Sequence, residues 1–468
     1  MQSSHKFRVQ AETEIPVGQP DLVASDSISV DVGVRGSSLF GSFSNSVNSI
    51  VGGGILGLPY AVSQIGWATG VLMYVFSIVM TFLAMHLIWK ISTRLGGDRL
   101  SFGVVAARLN KYFPAVADLL MMLITFMMSV FYLTVIGDYM SMVGEHLVDS
   151  SNLDSVWTSR RFYLGVIWAS ICVPLSIPRK LTILQYSSTL ALLFILYVVV
   201  LSIVYLYQPT DTLCSNILNR ANMTSCTESD SELCCFEGFG CCLGPVDAFL
   251  PEKGSTTDIF SAFPQMLVSF GFSPQAFAIY NDLVRPTIRR LDTVTLTAIS
   301  TVLAFYTTIS IAGYFTYGSE ITDNLLGSYP LTTEVTIARV GISFVLCVSY
   351  PLLMIPCTES MTHFVGTITS LTTGKNITDL KTREGKLTYY ICLVVGLVGT
   401  LFIGLLELEL SFILTLVGAV SVSNLSFTLP GIFYFFLFKE DGWTLTRIMS
   451  LPLAAFGILV MILSLYFF

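Results

Sequence analysis

Charge is what this chain has least of. Asp, Glu, Lys and Arg make up 12% of its 468 residues, whereas a soluble chain carries about 25%. Hydrophobic residues take their place, at 53% of the total with a mean hydropathy of +0.73. These values exclude a soluble globular domain and leave a polytopic membrane protein. Histidine is scarce as well: there are four, and His5 and His146 fall in a tail and a loop. No G-x-x-x-x-G-K-[ST] phosphate loop occurs, so nucleotide hydrolysis is not the energy source. No span carries the ring-forming series of charges that a channel needs. Neither an enzyme nor a cofactor is expected. The net charge of -7 and the scatter of Lys and Arg in short clusters exclude a nucleic-acid face. An apolar core with a cleavage site is missing from the start of the chain, and the polar residues 1–36 read as a disordered tail.

Long apolar runs are what the chain does have. A helix needs about 20 apolar residues to cross a hydrocarbon core about 30 Å thick. Eleven stretches qualify: 39–62, 66–92, 114–143, 162–178, 183–207, 258–281, 293–317, 336–363, 387–406, 410–437 and 449–468. Basic residues favour the cytoplasmic side. With the N-terminus cytoplasmic, only Arg160, Arg161, Arg220, Lys253 and Arg339 of the 24 Lys and Arg fall on the other side. Eleven spans then place the C-terminus outside. The expected organisation is a tail (1–36), five spans (37–207), a long loop (208–257), five more spans (258–438) and a last span (439–468).

Six of the ten cysteines sit in that one loop: Cys214, Cys226, Cys234, Cys235, Cys241 and Cys242. An even set in a loop facing an oxidising space suggests disulfides, with about 15 possible connectivities. Zinc is the rival reading, and the loop offers it neither His nor C-x-x-C. Asn222 in N-M-T is a glycosylation acceptor that needs the same lumenal or extracellular side. Asn376, in a basic loop, and Asn424, within a span, are expected to stay unmodified. Cys172, Cys347, Cys357 and Cys392 lie in spans and read as small apolar packing residues.

Two of the spans carry poor helix formers. The first reads "SIVGGGILGLPY" at 49–60, and the sixth reads "FGFSPQAFAIYNDL" at 270–283. Gly costs about 1 kcal/mol and Pro about 3 kcal/mol against Ala in a helix interior. Interrupted segments at matching positions of two halves are the sequence sign of an inverted-repeat transporter. A break frees N–H groups at the start of one half-helix and C=O groups at the end of the other, and it is tolerated only where protein, water or ligand satisfies them. Freed N–H groups suit a carboxylate, and freed C=O groups suit an ammonium or a small cation. An α-amino acid presents both. Gly52, Gly53 and Gly54 would let it approach the backbone. The competing explanation is close helix packing, which small residues also serve.

"SNSVNSIVGGGILGLPYAVSQIGW" (44–67) resembles the first span of the amino acid/auxin permease superfamily, particularly its sodium-coupled neutral amino acid transporters. "FYLTVIGDYM" (131–140) is similar to that branch's third span, and "FAIYNDL" (277–283) to the end of its sixth. The likeness covers roughly 39–438 in order and spacing. It implies a LeuT-type fold of eleven helices, five plus five in inverted repeat plus one, working by alternating access. The family's sodium-site asparagine matches Asn48. Its eighth-span hydroxyl residue matches Ser349, where the family usually has Thr, and backbone carbonyls near Val51 complete a sodium set. Two departures sit where substrate would bind: Ser273 stands where the branch often has His, and Gly53 where it has Ser.

The expectation is a secondary active transporter of neutral or small amino acids. Sodium drives it, with the proton as the alternative. The α-carboxylate rests on N–H groups at Gly53 to Ile55 and the α-amino group on carbonyls of the first and sixth spans. Phe272, Ser273, Gln275 and Tyr132 shape the side-chain pocket. Asp138, Glu359 and His86 are ionisable residues within spans, read as paired or solvated near span ends rather than as ion ligands. A nutrient sensor signalling through the tail is the rival from another class. The partners expected are the amino acid and membrane lipid, around a monomer in the plasma membrane or a lysosome- or vacuole-like membrane.

Overall fold

Chain that crosses hydrocarbon has to satisfy its own backbone N–H and C=O groups, and here helix does so. The computed structural model describes residues 37–51, 53–97, 100–147, 158–178, 187–207, 246–251, 256–374 and 382–467. The expected tail, the six loop cysteines, Asn222 and Gly52 lie outside these residues. Among the described residues, one isolated parallel bridge, Ser37 to Leu283, is the extent of β pairing.

The helices run in order α1 (Leu39–Ile50), α2 (Leu58–Ile65), α3 (Trp67–Leu95), α4 (Phe102–Ala107) and α5 (Phe113–Leu147). Next come α6 (Arg160–Ile167), which continues through a π turn (Trp168–Cys172) into Val173–Ser176, and α7 (Ser187–Tyr207). The second half holds α8 (Thr256–Phe270), α9 (Ala276–Asp282), α10 (Ile288–Tyr317), α11 (Leu325–Ser328), α12 (Thr333–Thr373), α13 (Arg383–Gly404), α14 (Leu410–Leu437) and α15 (Leu445–Phe467). Local signals start several of them. The Ser38 hydroxyl caps α1 by accepting the Gly41 N–H, and the Thr382 hydroxyl caps α13 by accepting that of Gly385.

Among the described residues, eight helices are long and apolar enough to cross a membrane: α3, α5, α7 (from Leu190), α10, α12, α13, α14 and α15. The stretches expected as first and sixth spans are instead pairs of short helices. The fourth is the composite that begins with α6.

Packing follows a pattern of matched pairs. The broken pair α1 and α2 packs on α10, and the broken pair α8 and α9 packs on α3. α5 lies along α12. α6 packs on α5 as α13 packs on α12, while α7 packs on α10 and α12 as α14 packs on α3 and α5. The apolar window of α14 is 83% buried inside the protein and that of α15 only 33%, so α15 is peripheral. Leu72, Val79 and Leu83 on α3, and Val394, Val398 and Phe402 on α13, remain exposed as an outward apolar face.

Besides buried links in the interior, polar contacts mark the two ends of the helices. Where α1 begins, Ser37 bridges Leu283, and the Asn281 amide clasps Leu100 by accepting its N–H (3.3 Å) and donating to its C=O (3.1 Å). Arg94 pairs with Asp441 at this same end. At the opposite end Arg160 holds Asp138 and the Gly404 carbonyl, Asp323 accepts the Leu410 N–H at 2.7 Å, and the Trp67 N–H bonds Asp247.

Candidate functional site

The two breaks have the same build. α1 stops at Ile50, a 3-10 turn follows at Gly53–Leu56, and Pro59 sits in the first turn of α2, where its missing N–H is not needed. α8 stops at Phe270, a 3-10 turn spans Ser273–Gln275 with Pro274 inside it, and α9 resumes at Ala276.

The breaks touch. A Cβ on Gly54 would lie 2.7 Å from the Ser269 Oγ and 3.3 Å from its Cα, so the backbone of the first break lies directly against the last turn of α8. A hydroxyl joins them further. Tyr306, fully buried near the middle of α10, places its Oη 2.7 Å from the Ile50 carbonyl and 3.0 Å from the Ser269 carbonyl. Both carbonyls belong to the final turn of a half-helix and have no intrahelical donor. Phe270, at the end of α8, stacks edge-on with both Tyr306 and Tyr74, and Tyr74 bonds Ser310 at 2.7 Å. The sequence reading passed over Tyr306 and Ser269. The available signal was a phenol in the interior of an apolar helix, since a buried tyrosine hydroxyl needs a partner.

The expected substrate residues divide by position. Gly53, Gly54 and Ile55 form the 3-10 turn, and Val51 and Ile55 are buried. Phe272 and Ser273 are sealed from solvent, and the Ser273 hydroxyl faces the Met85 sulfur at 3.9 Å. Gln275 is half-buried. Tyr132 on α5 is buried. The residues matched to sodium ligands lie on different helices: Asn48 half-buried on α1, Ser349 half-buried on α12. The main neighbours of α1 are α10, α7 and α9, and α12 is not among them.

Of the ionisable residues within spans, Asp138 pairs with Arg160, and His86 meets Asp292 at 3.0 Å. Glu359 is half-buried on α12. Neither ion pair touches the breaks.

An all-helical chain with two matched helix breaks in contact defines a transporter architecture, and the comparisons agree. Residues 35–468 match the family model described as "Transmembrane amino acid transporter protein". The chain belongs to that family of transporters, which are not enzymes. It is 26% identical over 93% of its length to "Vacuolar amino acid transporter 5" of Schizosaccharomyces pombe, covering 95% of that protein. It is 24% identical over 68% of its length to "Sodium-coupled neutral amino acid transporter 7" of Danio rerio, covering 63% of that protein. Among solved structures it resembles MhsT in complex with L-phenylalanine, at a TM-score of 0.53 and 12% identity, covering 92% of this chain and 98% of the other. The fold is therefore LeuT-like. The protein is an integral membrane protein.

Proposed function

We propose that this protein is a secondary active transporter that moves neutral or small amino acids by alternating access. The observation that carries the reading is the meeting of the two breaks: Gly54 abuts Ser269, and one hydroxyl reaches the carbonyl end of each. Such a junction offers an anion-binding start and a cation-binding end at one place. The α-carboxylate rests on N–H groups at Gly53 to Ile55, and the α-ammonium on carbonyls at the ends of α1 and α8. Phe272, Ser273, Gln275 and Tyr132 bound the substrate side chain.

Counting each broken pair and the α6 composite as one crossing gives eleven spans, with the N-terminus cytoplasmic and the C-terminus outside. The polar contacts that mark the two ends of the helices support this count, and the matched packing pairs support five plus five in inverted repeat. The loop cysteines and Asn222 then face an oxidising space. Monomer is the simplest working unit.

Sodium is the proposed driver, held by Asn48, the carbonyl of Val51 and Ser349. The relative named as sodium-coupled supports it. Proton coupling is the second reading, and separate gradients tell the two apart. Counterflow of labelled L-alanine, L-glutamine and L-leucine in reconstituted vesicles, with sodium and pH gradients varied separately, tests the proposal. Accelerated counterflow and accumulation down a sodium gradient are expected. Accumulation driven by pH alone would assign the proton, and indifference to both gradients would remove coupled transport.

A further inference from the structure

Tyr306 holds a point in space that a substrate amine would need. Its Oη lies 2.7 Å from the Ile50 carbonyl and 3.0 Å from the Ser269 carbonyl, the normal distances for a donor shared between two acceptors. These are the ends of α1 and α8, and neither carbonyl accepts a backbone N–H among the described residues. A phenol has one proton for two carbonyls. The closer takes most of it and the other is left partly unsatisfied. An ammonium has three protons and a charge, and charge-assisted hydrogen bonds are about twice as strong as neutral ones. It is the better occupant of the same point, and the two cannot share it.

We propose that Tyr306 is a stand-in for the substrate ammonium: it satisfies the two helix ends while the carrier is empty and withdraws when an amino acid binds. The inference rests on the amino acid reading of the paired breaks. Tyr306 is a positioning residue of the empty state. Because it is carried on α10, which packs on α1 and α2, its displacement passes substrate arrival to a helix outside the breaks. The empty carrier has to return across the membrane in net uptake and never does so in exchange. A residue that stabilises only the empty state therefore affects the first process and spares the second.

Tyr306→Phe keeps the ring and removes the hydroxyl. In vesicles loaded or unloaded with L-leucine, its net uptake of labelled L-leucine should fall about tenfold, the value of one buried hydrogen bond, while exchange stays within about twofold of wild type. In purified protein its affinity for L-leucine should tighten about fivefold or more. Affinity for 4-methylpentanoate, which lacks the amine, should not change. Equal loss of net uptake and exchange would reduce Tyr306 to a packing residue and overturn the proposal, as would unchanged net uptake or an equal shift for both ligands. If wild-type protein binds L-leucine without carrying it, the transport reading fails by itself, and the comparison of the two ligands still decides the role of Tyr306. If it binds neither, both fall together.

Discussion

Gly54 has two reasons to lack a side chain, and they can be separated. A Cβ there would meet the Ser269 Oγ at 2.7 Å, so close approach of the breaks demands glycine whether or not a ligand does. Overpacking of this kind costs about 1–3 kcal/mol. Gly54→Ala should lose most uptake, and adding Ser269→Gly, which removes the clashing side chain, should restore part of it. An inactive double variant that reaches the membrane normally would assign the glycine to the ligand instead. At this scale the sequence was legible where a residue type is costly out of place, as with Gly54 and Pro59. The matching of Asn48 and Ser349 to a sodium set rests on the family resemblance alone, because neither residue type is costly where it stands. The Tyr306 phenol stands out in its apolar helix, but its role was not legible, because its partner Ile50 is 256 positions away and no local pattern brings the two together.

Helices were more readable than their joints. Among the described residues, eight of the apolar runs hold a helix long enough to cross a membrane, since charge-free runs of this length have few alternatives, and Gly and Pro marked both breaks. The π stretch Val417–Thr428 in α14 holds a single glycine, Gly418, which by itself does not signal a π stretch. Its setting is tertiary: a Cβ on Gly418 would lie 2.3 Å from the Pro264 carbonyl of α8, so backbone lies against backbone there. The latch at the start of α1 was also hidden. Ser37 pairs with Leu283 just after α9, and Asn281 on α9 holds Leu100 through both its amide groups. Any motion of α1 away from α9 has to break the Ser37 bridge. Asn281→Ala removes two hydrogen bonds worth about 1 kcal/mol each and should loosen this end. A cysteine placed at Ser37 should then react with a membrane-impermeant maleimide several times faster than in the parent. An unchanged rate would show that the latch does not hold this end shut.

At the scale of the whole molecule, symmetry is put to use. The packing of α1 and α2 on α10 mirrors that of α8 and α9 on α3, so the two breaks meet near the centre of the fold. Two interrupted helices meeting this way expose backbone donors and acceptors that hydrocarbon cannot satisfy, while Tyr306 and the glycine-lined turn hold the junction closed. Family membership supplies the kind of cargo, and the junction is the place proposed for it. The most direct measurement is photo-crosslinking of the intact protein with a diazirine-bearing leucine analogue, followed by peptide mapping. The expected result is label in the peptides spanning 48–60 and 268–282, displaced by excess L-leucine. Displaceable label confined to other helices would contradict a site at the junction.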